Sequence, residues 1–90
     1  MVTVQLSQEV KDFIAWKAIY DSLHYFREEH GISEIAVFVT AENPDKIVLF
    51  LDAPCEESVH KFFNSKEIKE GMKKGGVIGK TTLKILKRIR

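Results

Sequence analysis

Few side chains in this sequence stand in a pattern that could do chemistry, and the most suggestive lie between Phe13 and Arg27. Phe13, Trp16 and Tyr20 recur at spacings of three and four residues, so on a helix they share one face. They could line a cavity for a flat aromatic ligand, or they could be plain core. Arg27 continues the same face. A guanidinium there could clamp a carboxylate or phenolate. The bland alternative is an arginine whose stem lies on the core and whose head pairs with a carboxylate at the rim. His24 stands one turn after Tyr20 and one step to the side. Its imidazole could take a proton from an acidic C–H or O–H of a bound substrate near neutral pH. A histidine flanking an amphipathic helix is otherwise a half-exposed surface group. The sequence thus leaves the catalytic residues unknown, with His24 and Arg27 as candidates for base and anion clamp. Phe13, Trp16, Tyr20, His24 and Arg27 are the candidate ligand-binding set.

The remaining reactive groups carry less. Cys55 is the only cysteine, and it follows Pro54 close to an expected helix start, a position that lowers a thiol pKa. No histidine follows it in a nucleophile pattern, so it reads as a surface or packing residue. His30 precedes Gly31 and is placed to bond the last carbonyls of a helix. His60 falls beside an apolar set and reads as solvated. Three histidines, one cysteine and scattered carboxylates show no ligand spacing, so we expect no metal and no cofactor. The run Lys73 to Thr81 contains Gly75, Gly76 and Gly79, but it lacks the spacing of a phosphate loop and leads into a strand pattern. Lys84, Lys87, Arg88 and Arg90 make a basic tail. It could touch an anionic surface, or it could charge a terminal strand against aggregation.

These groups must be carried by a small frame. Ninety residues make one domain, 1–90, that buries only roughly 60–65% of its unfolded surface. An apolar fraction of 44% with 30% charged residues argues against disorder. Fourteen basic and thirteen acidic residues nearly cancel, so no nucleic-acid footprint covers the whole chain. A lone cysteine fits a reducing compartment, and the first residues lack the pattern of a secretory signal or membrane span. The expected location is cytoplasmic.

Val2, Val4 and Leu6 alternate with Thr3 and Gln5, which predicts a first strand. Asp12 can cap a following helix, whose stripe of Phe13, Trp16, Ile19, Tyr20, Leu23 and Phe26 turns inward. Gly31 ends it. Ile35 to Thr40 and Ile47 to Leu51 predict two strands joined by a turn at Asn43-Pro44-Asp45. Pro54 fits the first turn of a second helix, which buries Val59, Phe62 and Phe63. Ser65 caps a further short helix through Lys73, stopped by Gly75-Gly76. Thr81 to Ile89 predicts the last strand, with Leu83, Ile85 and Ile89 on one face. The order β-α-β-β-α-β is the ferredoxin-like, split-βαβ arrangement of an α+β domain with an antiparallel four-stranded sheet.

In this topology helices cover one sheet face only. Both alternating sets of the two middle strands are largely apolar: Ile35, Val37 and Val39 against Ala36 and Phe38, and Ile47, Leu49 and Leu51 against Val48 and Phe50. The second face therefore calls for cover, most simply by a second copy in a two-fold dimer. Val10 to Lys17, the turn Glu42-Asn43-Pro44-Asp45, and the segment Phe62 to Val77 resemble the dimeric α+β barrel superfamily. That superfamily includes the antibiotic-biosynthesis monooxygenases and small "cyclase"-labelled proteins. The resemblance covers nearly the whole chain. It implies a homodimeric barrel; a bound ligand would sit between the first helix and the sheet. Three functions stay open: binding of a small apolar or aromatic molecule, cofactor-free oxygenation of a phenol or quinol, and a structural or partner-binding role without catalysis.

Overall fold

The N-terminal alternation runs past Leu6. In the computed structural model, which describes residues 1–90, strand β1 spans Val2–Val10. Val2, Val4, Leu6 and Val10 all point inward and are buried. Gln8 holds the inward position between Leu6 and Val10, and it too is buried. A polar group in the core needs partners. The Gln8 amide finds two, accepting a hydrogen bond from Trp16 Nε1 at 2.8 Å and donating one to Thr81 Oγ1 at 3.3 Å.

The chain continues through helices α1 (Phe13–Ser22) and α2 (His24–Glu29), strands β2 (Ser33–Val39) and β3 (Lys46–Ala53), helices α3 (Glu56–Phe63) and α4 (Lys66–Lys74), and strand β4 (Val77–Leu86). The four strands form one antiparallel sheet in the order β2-β3-β1-β4. This is the expected ferredoxin-like α+β topology, with the expected first helix present as two short ones. No helix is long and apolar enough to cross a membrane.

The single long first helix predicted by spacing is broken at Leu23. Ser22 Oγ donates back to the Ile19 carbonyl at 2.6 Å, and the Leu23 amide bonds the Tyr20 carbonyl, tightening the last turn of α1. The Tyr20 carbonyl also accepts from Arg27 Nη1 at 2.7 Å. The start of α1 is as expected, with Asp12 accepting from the Ile14 amide. Pro54 lies outside the helix it was expected to open, because Cys55 occupies the cap of α3. Ser65 caps α4.

Strand β4 begins four residues earlier than the pattern predicts and ends at Leu86, leaving Ile89 outside it and 92% exposed. The reason is a register shift. Glu9 pairs with Ile78, while Ser7 pairs with Thr82, so β4 carries extra residues around Gly79 (φ 70) that interrupt its apolar alternation.

The helices pack over Ile47, Leu49, Leu51 and Ala53 of β3 and the inward side of β1. The opposite sheet face is open, and its apolar part is concentrated on the two strands whose sequence led to the expectation of cover. Its β2–β3 half carries Ala36, Phe38, Val48 and Phe50, with the Phe38 and Phe50 rings 6.0 Å apart and edge to face. Its β1–β4 half is mostly polar, with Thr3, Gln5, Ser7, Glu9, Thr82 and Lys84, and carries the exposed Ile78 and Leu86 toward its two ends.

Candidate functional site

An apolar cavity of about 60 Å³ lies between the helices and the sheet. Leu6, Leu49 and Leu51 form its floor, α1 contributes Trp16, Ile19 and Tyr20, and α3 and α4 close it with Phe62, Phe63, Ile68 and Met72. At Gly71, on the border of this space, α4 comes close to the end of α1. A Cβ there would stand 2.6 Å from Leu23 Cδ1, and one at Gly75 would stand 3.3 Å from Trp16 Cδ1. The cap at Ser65 sets the phase of α4, so that Ile68 and Gly71 face inward while the lysines face out.

One wall is a column of flat groups. Phe13 stacks on Trp16 with centroids 5.9 Å apart, Trp16 on Tyr20 at 4.8 Å, and the Arg27 guanidinium lies 3.8 Å over the Tyr20 ring. Trp16 is fixed from behind by Gln8. Tyr20 donates its phenol hydrogen to Glu34 Oε1 at 2.9 Å, at the rim. Burial, and then that hydrogen bond to Glu34, push the Tyr20 phenol well above its usual pKa, against the opposing pull of Arg27. Tyr20 therefore keeps its proton at neutral pH.

Arg27 is only 6% exposed, yet it enters none of the ion pairs of the chain. The one hydrogen bond of its side chain within the chain goes to the Tyr20 carbonyl, and its charge rests over an aromatic face. The guanidinium borders the cavity on one side and an open cleft with Asp21, Glu28 and Glu34 on the other. The expected rim carboxylate pairing is thus replaced by a ring and a carbonyl.

Of the five candidate ligand residues, Trp16, Tyr20 and Arg27 come together at the cavity. Phe13 is half-buried behind Trp16 and does not line it. His24 does not reach it either: it sits in the outer cleft, with Nε2 2.6 Å from Glu28 Oε1 and its side chain 69% exposed. The break at Leu23 sends His24 outward while Arg27 turns in. The cavity lining contains no imidazole and no carboxylate. It can exclude water from an apolar guest and stabilise negative charge near Arg27.

Sequence reasoning missed Gln8 and Gly71, while it turned Ile68 and Met72 inward without assigning them to the site. Gln8 was visible as a polar residue at an inward strand position, and Gly71 and Gly75 as two glycines four apart in a helix. Cys55 is exposed, and its pKa is lowered chiefly by a hydrogen bond with Ser58. It lies away from the cavity.

No protein-family model matches this chain, and no curated protein does. Solved structures do share its shape. A proposed antibiotic biosynthesis monooxygenase from Bordetella bronchiseptica superposes with a TM-score of 0.82 at 14% identity, covering 99% of this chain and 97% of that one. A cofactor-independent oxygenase from Streptomyces nogalater gives 0.75 at 6% identity, over 99% and 93%. A conserved protein from Methanosarcina mazei gives 0.74 at 18% identity, over 97% and 91%. The chain shares the ferredoxin-like α+β fold of these structures. At these identities the likeness reaches the fold and goes no further.

Proposed function

We propose that this chain forms a homodimer through the open sheet face and binds a small apolar or aromatic molecule in the cavity between α1 and the sheet. The observation that carries the binding reading is the buried Arg27 guanidinium. It has no carboxylate partner and stands at the edge of an otherwise apolar space, beside the Trp16–Tyr20 stack. A phenol or phenolate matches both features, with its ring against the apolar wall and its oxygen toward Arg27. A benzene-sized guest needs roughly 150 Å³, so the cavity must widen to admit one. Met72 and Leu23, both half-buried, are the side chains that can yield. The dimer is supported by the Ala36–Phe38–Val48–Phe50 patch, in which Phe38 is exposed and the others are half-buried, and by the fold.

Trp16 is the only tryptophan, so its emission reports occupancy of the cavity. Titration with 1-naphthol, excited at the red edge of the indole band, should change that emission saturably. Arg27→Gln should weaken binding and flatten its rise with pH through the naphthol ionisation. No saturable change in folded protein defeats the binding reading.

A second reading is oxygenation of the bound phenol by dioxygen. The shared fold of the Streptomyces nogalater oxygenase favours it. In that case Arg27 stabilises the ionised substrate, and the proton leaves to solvent, since no basic side chain lines the cavity. Oxygen uptake with 1,4-dihydroxynaphthalene above the rate without protein, lost in Arg27→Gln, separates this reading from simple binding.

A further inference from the structure

The cleft beyond Tyr20, where α1 and α2 meet β2, is faced by Asp21, His24, Arg27, Glu28 and Glu34. Two of its carboxylates already have partners one helical turn away. Asp21 is held by Lys17 at 2.6 Å, and Glu28 bonds His24 at 2.6 Å. Glu34 and Arg27 are left. Neither enters an ion pair, with the other or with any other group. Tyr20 spaces them: its ring carries the guanidinium at 3.8 Å, and its hydroxyl donates to Glu34 Oε1 at 2.9 Å. Glu34 Oε2 and the Nε and Nη2 hydrogens of Arg27 make no bond within the chain. An unpaired carboxylate on the surface is unremarkable on its own. Arg27 is different, because at 6% exposure it has given up most of its water without gaining an anion.

The position of this cleft matters as much as its charges. Glu34 pairs with Leu51, an inward residue of β3, so it stands on the helix side of the sheet. The cleft is therefore clear of the open face through which the dimer would form. Arg27 borders both the cleft and the apolar cavity, so the two spaces meet at its guanidinium. A ligand that satisfies all three surroundings carries an anion at Arg27, a cation at Glu34 and an apolar group that passes Arg27 into the cavity.

We infer that cavity and cleft together form a site for a free α-amino acid with an aromatic or large apolar side chain, its carboxylate on Arg27, its ammonium on Glu34 and its side chain in the cavity. In such a molecule the two charges and the side chain diverge from one carbon, as the three surroundings diverge from Arg27. A simple carboxylic acid would leave Glu34 unpaired, and a simple amine would leave Arg27 unpaired. The inference rests on the cavity reading above for the seat of the side chain.

The test uses three probes with the same ring: L-phenylalanine carries both charges, 3-phenylpropionate the anion alone and 2-phenylethylamine the cation alone. Each is titrated into the intact protein near neutral pH and followed by NMR of the backbone amides and the Trp16 indole. Saturable shifts are expected at Arg27, Glu34 and the Trp16 indole, with L-phenylalanine bound about five-fold or more tighter than either analogue. Glu34→Gln, which can still accept from Tyr20, should abolish the preference over 3-phenylpropionate. Arg27→Gln should abolish the preference over 2-phenylethylamine. Glu57→Gln, on the exposed side of α3, should change neither. Equal affinity for L-phenylalanine and 3-phenylpropionate in the unaltered protein overturns the inference, as does equal weakening by Glu57→Gln. Binding of 1-naphthol without binding of L-phenylalanine overturns it too, and leaves the cavity reading standing. Failure of both ligands to bind defeats the two together.

Discussion

Replacing Trp16 with alanine probes the packing that builds the cavity. The ring is 5% exposed, stacks on Tyr20 at 4.8 Å and donates to Gln8 at 2.8 Å. Removing such a ring from a core costs roughly 3–5 kcal/mol. The void would join the existing space of about 60 Å³, and Met72 and Leu23 can relax into it, so the lower end, about 3 kcal/mol, is expected. Trp16→Phe keeps most of the ring but leaves Gln8 Oε1 without its donor, and should cost roughly 1–3 kcal/mol. A domain of this size has only about 5–15 kcal/mol of stability in all, so the alanine variant should be visibly weakened but still folded. Urea unfolding followed by far-UV circular dichroism, at one protein concentration, measures both. An alanine loss below about 1 kcal/mol would refute the packing argument. Equal losses for the two variants would show that the hydrogen bond, and not the ring, carries the stability.

Three further outcomes follow from the same geometry. Phe38→Asp alters a side chain that is 54% exposed on the open face, so it should leave the fold intact yet shift sedimentation at low micromolar concentration from dimer to monomer. Gly71→Ala gains roughly 1 kcal/mol of helix propensity but drives Leu23 into the cavity, so thermal stability should change little while the Trp16 response to 1-naphthol is lost. Because burial raises the Tyr20 pKa in the folded state, its contribution to stability is complete below the unfolded value of about 10 and declines as pH rises above it. Ultraviolet titration should find Tyr20 protonated through the ordinary tyrosine range until the protein unfolds.

The fold was readable because its signals were local and consistent. Asp12 and Ser65 are short polar caps before apolar periodicity, Gly31 and Gly76 take positive φ where the helices stop, and β1 and β3 alternate between buried and open positions. What escaped depended on a group bonding against its neighbourhood. Ser22 turning back on Ile19 split the first helix, and that break sent His24 to solvent and Arg27 inward, which no helical spacing could reveal. Gln8 hid the end of β1 because its partners, Trp16 and Thr81, lie 8 and 73 positions away in sequence. The bulge at Gly79 concealed the start of β4 in the same manner. Trp16, Tyr20 and Arg27 were legible as one face, since α1 keeps its phase through Tyr20 and the Arg27 head reaches back to the Tyr20 carbonyl. That α4 completes the cavity was not, because the approach rests on Gly71, a residue with no side chain to mark it.

The central claim is that a small aromatic molecule enters the cavity between α1 and the sheet. Intermolecular nuclear Overhauser effects from bound 1-naphthol to the Met72 methyl group test it most directly. The account predicts strong effects to Met72 and to the Trp16 indole, and none to the methyl groups of Val48 and Ala36 on the open sheet face. Effects to Val48 and Ala36 without any to Met72 would place the ligand on the wrong side of the sheet and contradict it.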